Sequence, residues 1–197
     1  MPNSLNKHHL YQINWFGIAG SILIIIVILV SLHFPWWQLT IAEGGVKINV
    51  SPMNTNIGLF GAQFKIPLIY ALNIGSICTF LCSSIIMLLY SIAPTKPYAK
   101  DLLDFAWKKP LYSVITSTLC VSLMILIART ILDMHIPLIG TENVTLPMQF
   151  TEGAGITVTA SAAFQWPLYL AITAASLCII AKIYHKKITK QTTKKET

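Results

Sequence analysis

The residues best suited to chemistry in this chain are two histidines in matched settings. His33 and His135 each fall at the end of a long apolar run, and each is followed two residues later by proline, Pro35 and Pro137. Imidazoles brought to the same depth on different helices are how a bis-histidine haem or a metal centre is held. The competing role is plainer: a histidine at headgroup level is an amphipathic residue comfortable at a membrane interface. A second ionisable pair is Arg129, the sole arginine, and Asp133. Four residues apart on a helix they can neutralise each other, or the arginine can hold loop carbonyls through its five donors. Ionisable residues within a membrane span are functional candidates by default; for this pair the structural role is the one expected.

Glu43, Glu142 and Glu152 are the carboxylates of the two large connecting loops. Acid–base work needs carboxylates that converge in a cleft, whereas Glu43 and Glu152 flank glycine turns. Cys78, Cys82, Cys120 and Cys178 all lie in apolar runs, which fits buried small hydrophobes better than a redox pair. The chain contains no His-Glu-x-x-His, no glycine-rich phosphate loop and no Gly-x-Ser-x-Gly elbow. No catalytic residue is expected, and no cofactor, with haem or metal at His33 and His135 as the alternative.

The elements that must position these residues are set by composition. The 197 residues are 54% apolar and only 11% charged, with a net charge of +7 and a mean hydropathy of +0.65. A soluble domain carries roughly 25% charged residues, so this is an integral membrane protein, mainly α-helical. Four segments are long and apolar enough to span: about 15–34, 66–93, 110–132 and 166–184. Pro67, Pro110 and Pro167 sit in the first turns of the last three, where a missing N–H costs nothing. The expected architecture is a single membrane domain, a four-transmembrane-helix bundle with outer loops at about 35–65 and 133–165.

Lysine placement gives the orientation. Lys7, Lys96, Lys100, Lys108, Lys109 and the six lysines from Lys182 to Lys195 fall on one side of such a bundle, against Lys47 and Lys65 on the other. Both termini are therefore expected in the cytoplasm of a multi-pass cell-membrane protein, and the net charge is an orientation signal rather than a nucleic-acid site. The connector 98–107 has the spacing of a short amphipathic helix for the interface. The basic tail, about 186–197, is polar enough to be disordered.

Each outer loop carries alternating runs about glycines: Trp37 to Glu43 and Val46 to Ser51 around Gly44-Gly45, then Val144 to Glu152 and Ile156 to Thr159 around Gly153-Ala154-Gly155. Two hairpins are expected to pair into one extracytoplasmic antiparallel sheet of four strands, with Pro147 marking an edge or an interruption. The halves match beyond apolar filler. Phe64-Lys65-Ile66-Pro67-Leu68 aligns with Phe164-Gln165-Trp166-Pro167-Leu168, and Glu43-Gly44 with Glu152-Gly153, which points to a tandem repeat of helix–hairpin–helix. Asn143-Val144-Thr145 is a glycosylation sequon, Asn143 being the acceptor candidate. Trp36 and Trp37 are expected in the interfacial aromatic belt.

The first outer loop opens Pro35-Trp36-Trp37-Gln38-Leu39-Thr40 and closes Gly58-Leu59-Phe60. With four spans and both termini inside, this resembles the claudin and peripheral myelin protein group, which places Pro-x-Trp after its first span and Gly-Leu-Trp later in the loop. The chain departs from that group in lacking the two loop cysteines and in carrying Phe60 for tryptophan. The resemblance implies an outer β-sheet over a helix bundle, and a structural, self-associating or partner-binding role. The function expected is interaction without catalysis, as an accessory or structural subunit of a membrane complex or a lateral assembly. A small transporter or channel is a further alternative, for which the spans offer few mid-membrane ionisable groups. Partners are the lipid bilayer and other membrane subunits or further copies, with no nucleic acid.

Overall fold

A computed structural model describes residues 13–131, 134–147 and 155–196. Among them the chain runs α1 (Trp15–Ser31), β1 (Trp37–Ile41), a single 3-10 turn, β2 (Val46–Val50), β3 (Asn56–Leu59), β4 (Ala62–Phe64), α2 (Pro67–Ile92), α3 (Ala99–Ala106), α4 (Lys108–Ile131), β5 (Gly140–Pro147), β6 (Gly155–Phe164) and α5 (Trp166–Glu196). Three stretches, Pro67–Ile92, Ala99–Ile131 and Trp166–Lys187, are long and apolar enough to cross a membrane. α1 is apolar but shorter, at 17 residues. α5 continues as helix to Glu196, through the tail expected to be disordered. A helix already nucleated in an apolar stretch propagates at little further cost.

Two compact units emerge. One comprises 1–29, 77–113 and 170–197; the other comprises 30–76 and 114–169. The first is helical and packs through small and polar residues. Gly20 brings α1 so near α5 that a Cβ there would lie 3.1 Å from Cys178 Sγ. Ser21 Oγ donates to the Ser84 carbonyl at 2.8 Å, and Ser84 Oγ returns the bond to the Ser21 carbonyl at 3.0 Å. Asn14 is fully buried, and its Nδ2 donates to Tyr90 Oη and to the Ala181 carbonyl, each at 2.9 Å, tying the start of α1 to α2 and α5. Small residues and interhelical hydrogen bonds are what joins helices where no hydrophobic effect acts between them. Ser83 Oγ donates to the Ala106 carbonyl at 2.7 Å and anchors the end of α3.

The second unit is built on a six-stranded antiparallel sheet in the order β4-β3-β2-β1-β6-β5. Trp37, Leu39 and Ile41 alternate inward along β1, as a half-buried strand requires. Across the register Leu39 faces Ala162 and Ile41 faces Ala160, large opposite small. These residues pack with Val121 of α4 and Val144 of β5 as one buried cluster.

The sheet is larger than the four strands expected. The first loop supplies four strands and the second two. The extra hairpin β3–β4 turns at Phe60-Gly61, whose φ values of 47° and 84° are the positive pair a two-residue type I′ turn needs. The β1–β2 connection is also broader than a Gly-Gly turn. Ala42, Glu43 and Gly44 all take positive φ, and Gly45 does not. In the second loop the strands are Gly140–Pro147 and Gly155–Phe164, so β5 starts earlier and β6 ends later than the sequence pattern indicated. Pro147 is the last residue of edge strand β5, where a missing N–H breaks no inner ladder. The glycine turn at 153 and 154 and Glu152 lie outside the described residues.

Candidate interaction surface

The sheet has two edges, β4 and β5. β4 is exposed at all three positions. The exposure continues on both sides: every residue from Leu59 to Leu68 is exposed, including Leu59, Phe60, Phe64, Ile66 and Leu68. Phe60 is the extreme, 88% exposed at the tip of the hairpin. A bulky residue at positive φ is an outlier, since its Cβ crowds the backbone. It is held there by register, by its N–H donating to the Gly45 carbonyl at 2.7 Å, and by Gly61 beside it. An open strand edge beside apolar side chains is a template for another chain's strand.

The loop that leads into β3, the partner of β4, is held by hydrogen bonds. Ser51 Oγ accepts from the N–H groups of Met53 and Asn54, and Thr55 Oγ1 donates to the Ser51 carbonyl at 2.7 Å, which fixes the β2–β3 loop. With its side-chain amide turned so that both ends are satisfied, buried Asn73 of α2 donates to the Pro52 carbonyl and accepts from the Thr55 N–H.

The residues singled out from sequence fall as follows. His33 lies in the turn after α1 and His135 in the extended segment before β5, both exposed. Among the described residues no group of three or more His, Cys, Asp or Glu is placed to hold a metal. Arg129 is exposed in the last turn of α4; its expected partner Asp133 lies outside the described residues. Asn143 is exposed on β5, and Thr159 Oγ1 reaches its Oδ1 at 3.4 Å. Glu43 and Glu142 are exposed.

The aromatic-belt expectation for Trp36 and Trp37 is corrected. Both rings are buried inside the protein, at 1% and 0% exposure. Trp36 Nε1 donates to Ser31 Oγ at 2.8 Å, and Trp37 Nε1 donates to the Leu138 carbonyl at 2.9 Å. A buried indole needs such a partner for its N–H. After half-buried Pro35, the Trp36 backbone bonds to both flanking strands: its N–H to the Val50 carbonyl and its carbonyl from the Gln165 N–H. The Pro35-Trp36-Trp37 motif is thus a sheet-starting device. The matched residues Phe64 and Phe164 each close the strand before a long helix, but β4 is an edge and β6 lies between β1 and β5. The halves therefore do not form equivalent sheets.

The β3–β4 hairpin is the feature the sequence pattern missed. Its signal is Ile57-Gly58-Leu59 and Ala62-Gln63-Phe64 disposed about Phe60-Gly61, with glycine where positive φ is compulsory. No protein-family model matches this chain, and no curated protein matches it.

Proposed function

We propose that this is a non-catalytic integral membrane protein that acts by interaction, as an accessory or structural subunit of a membrane complex or in a lateral assembly, and that it engages its partner along edge strand β4. In this reading α1 is a fourth span, both termini face the cytoplasm, and the sheet stands on the opposite side. The carrying observation is the continuous exposed run from Leu59 to Leu68, an unpaired strand edge set among apolar side chains. The departing claudin-like pattern, Gly58-Leu59-Phe60, falls on this hairpin and agrees with a partner-binding role.

The test is purification of the full chain in a gentle detergent, with a photo-crosslinking amino acid at Gln63 and mass spectrometry of what it captures. One dominant partner, or a second copy, is expected. Phe64→Lys, which keeps the strand but charges its edge, should lower capture at least tenfold. A monodisperse lone monomer without crosslinks would reject the reading.

A further inference from the structure

The junction of α3 and α4 gathers cations around aromatic rings. Lys182 Nζ, from α5, lies 3.8 Å from the centroid of the Trp107 ring, and Lys108 Nζ lies 6.0 Å from it. Lys109 Nζ lies 4.9 Å from the centroid of Phe105, a ring that is 42% exposed. One carboxylate enters the group, and it is already engaged: Asp104 stands 3.6 Å from Lys182 Nζ and accepts from Trp107 Nε1 at 3.3 Å. Two ammoniums, those of Lys108 and Lys182, thus flank Trp107 beside one engaged acid, and a third, that of Lys109, stands over the exposed Phe105 ring of the same junction. The lysines stand at the ends of apolar helices. Lys108 opens α4, and Lys182 lies in the last turns of the membrane-length stretch Trp166–Lys187.

We infer that Lys108, Lys109 and Lys182 form a binding site for the head group of an anionic phospholipid. Charge complementarity selects the occupant, and position selects the lipid over a soluble anion. Ends of membrane-crossing helices lie at the depth of the phosphates, where lysine stems reach out along apolar surface and aromatic rings rest among head groups. α3 serves as the platform. It buries Ala99, Leu103 and Ala106 in the protein and turns Lys100 and Phe105 outward. Within the connector 98–107 expected at the interface, Leu103 and Ala106 thus fasten the helix to the protein. The inference is independent of the sheet and its partner.

The experiment is native mass spectrometry of the full chain in detergent, titrated with dioleoylphosphatidylglycerol or with dioleoylphosphatidylcholine, which differ in net head-group charge. Retention of phosphatidylglycerol is expected at a concentration at least tenfold below that for phosphatidylcholine. A lysine beside an anionic surface supplies about a fivefold preference, so the triple variant Lys108→Gln, Lys109→Gln, Lys182→Gln should abolish the difference. The triple Lys→Arg variant keeps the charges and should preserve it, which separates loss of the site from loss of the fold. Equal retention of the two lipids overturns the proposal, as does a preference unchanged in the Gln triple. Displacement of the lipid by equimolar inorganic phosphate, or by a polyglutamate peptide, would assign the cluster to a soluble anion or an acidic protein and overturn it equally.

Discussion

Phe60 joins an unfavourable backbone to an exposed ring. Its φ of 47° and 88% exposure mean that the fold gains little from its side chain while carrying the strain of its conformation. A left-handed conformation costs an L-residue about 1–2 kcal/mol, and asparagine tolerates it better than phenylalanine. Phe60→Asn should therefore stabilise the protein by about 1 kcal/mol, a rise of about 2–4 °C in Tm for a chain of this size. It should at the same time weaken capture of the partner in the Gln63 crosslinking assay. Thermal unfolding in detergent measures the first effect. A fall in Tm, or undiminished capture, would mean the ring serves the fold rather than an interface. Phenylalanine at this position is also why the hairpin was hidden. The turn rules favour Asn-Gly or Asp-Gly, and here only the glycine of the pair is present.

At the scale of elements, helices were legible and strands only in part. A membrane helix announces itself by the length of its apolar run, and three of the four expected spans meet that standard. A strand depends on what it pairs with. β6 alternates Val158, Ala160, Ala162 and Phe164 toward the core, a true period of two, but alanine in the inward positions hides it. β3 is strand because β2 pairs with it, not because Asn56 and Gly58 favour extension. The helical unit was read least well, since close packing is invisible in a list of glycines. Gly17 and Gly75 show the difference. A Cβ on Gly17 would fall 2.0 Å from Ser91 Oγ and 3.2 Å from Ser91 Cβ, whereas one on Gly75 meets nothing within 4 Å. Ser91 cannot yield freely, because its hydroxyl donates to the Met87 carbonyl at 2.6 Å. Gly17→Ala should destabilise by about 2 kcal/mol, the middle of the range for overpacking. Gly75→Ala, within α2, should gain about 0.5–1 kcal/mol of helix propensity. Opposite shifts in thermal unfolding check the pair, and shifts of the same sign would discard the packing account of α1.

At the scale of the whole molecule, α1 stands apart as an apolar helix shorter than the three of membrane-crossing length. Seventeen residues span about 26 Å at 1.5 Å per residue, against a hydrocarbon core of about 30 Å. Length alone argues against crossing, but the end of the helix argues for it. Backbone carbonyls at a helix terminus must be satisfied wherever lipid excludes water. At the end of α1 the Val30 carbonyl accepts from the N–H groups of His33 and Phe34 and the Ser31 carbonyl from Ser51 Oγ at 3.4 Å, while just beyond the helix the Leu32 carbonyl accepts from Asn54 Nδ2 at 2.8 Å. A short helix so capped can end against protein instead of running on to water. Single cysteines decide the matter, placed at Lys7, Lys47 or Lys187 in a background whose four native cysteines are alanine. Intact cells are treated with a membrane-impermeant maleimide. In the proposed topology all three membrane-length helices cross between Lys47 and Lys187, so Lys47→Cys should react at once and Lys187→Cys only after permeabilisation. Lys7 tests α1 alone. If α1 crosses, Lys7→Cys follows Lys187→Cys and stays protected in intact cells; labelling together with Lys47→Cys would leave three spans and place the N-terminus on the side of the sheet.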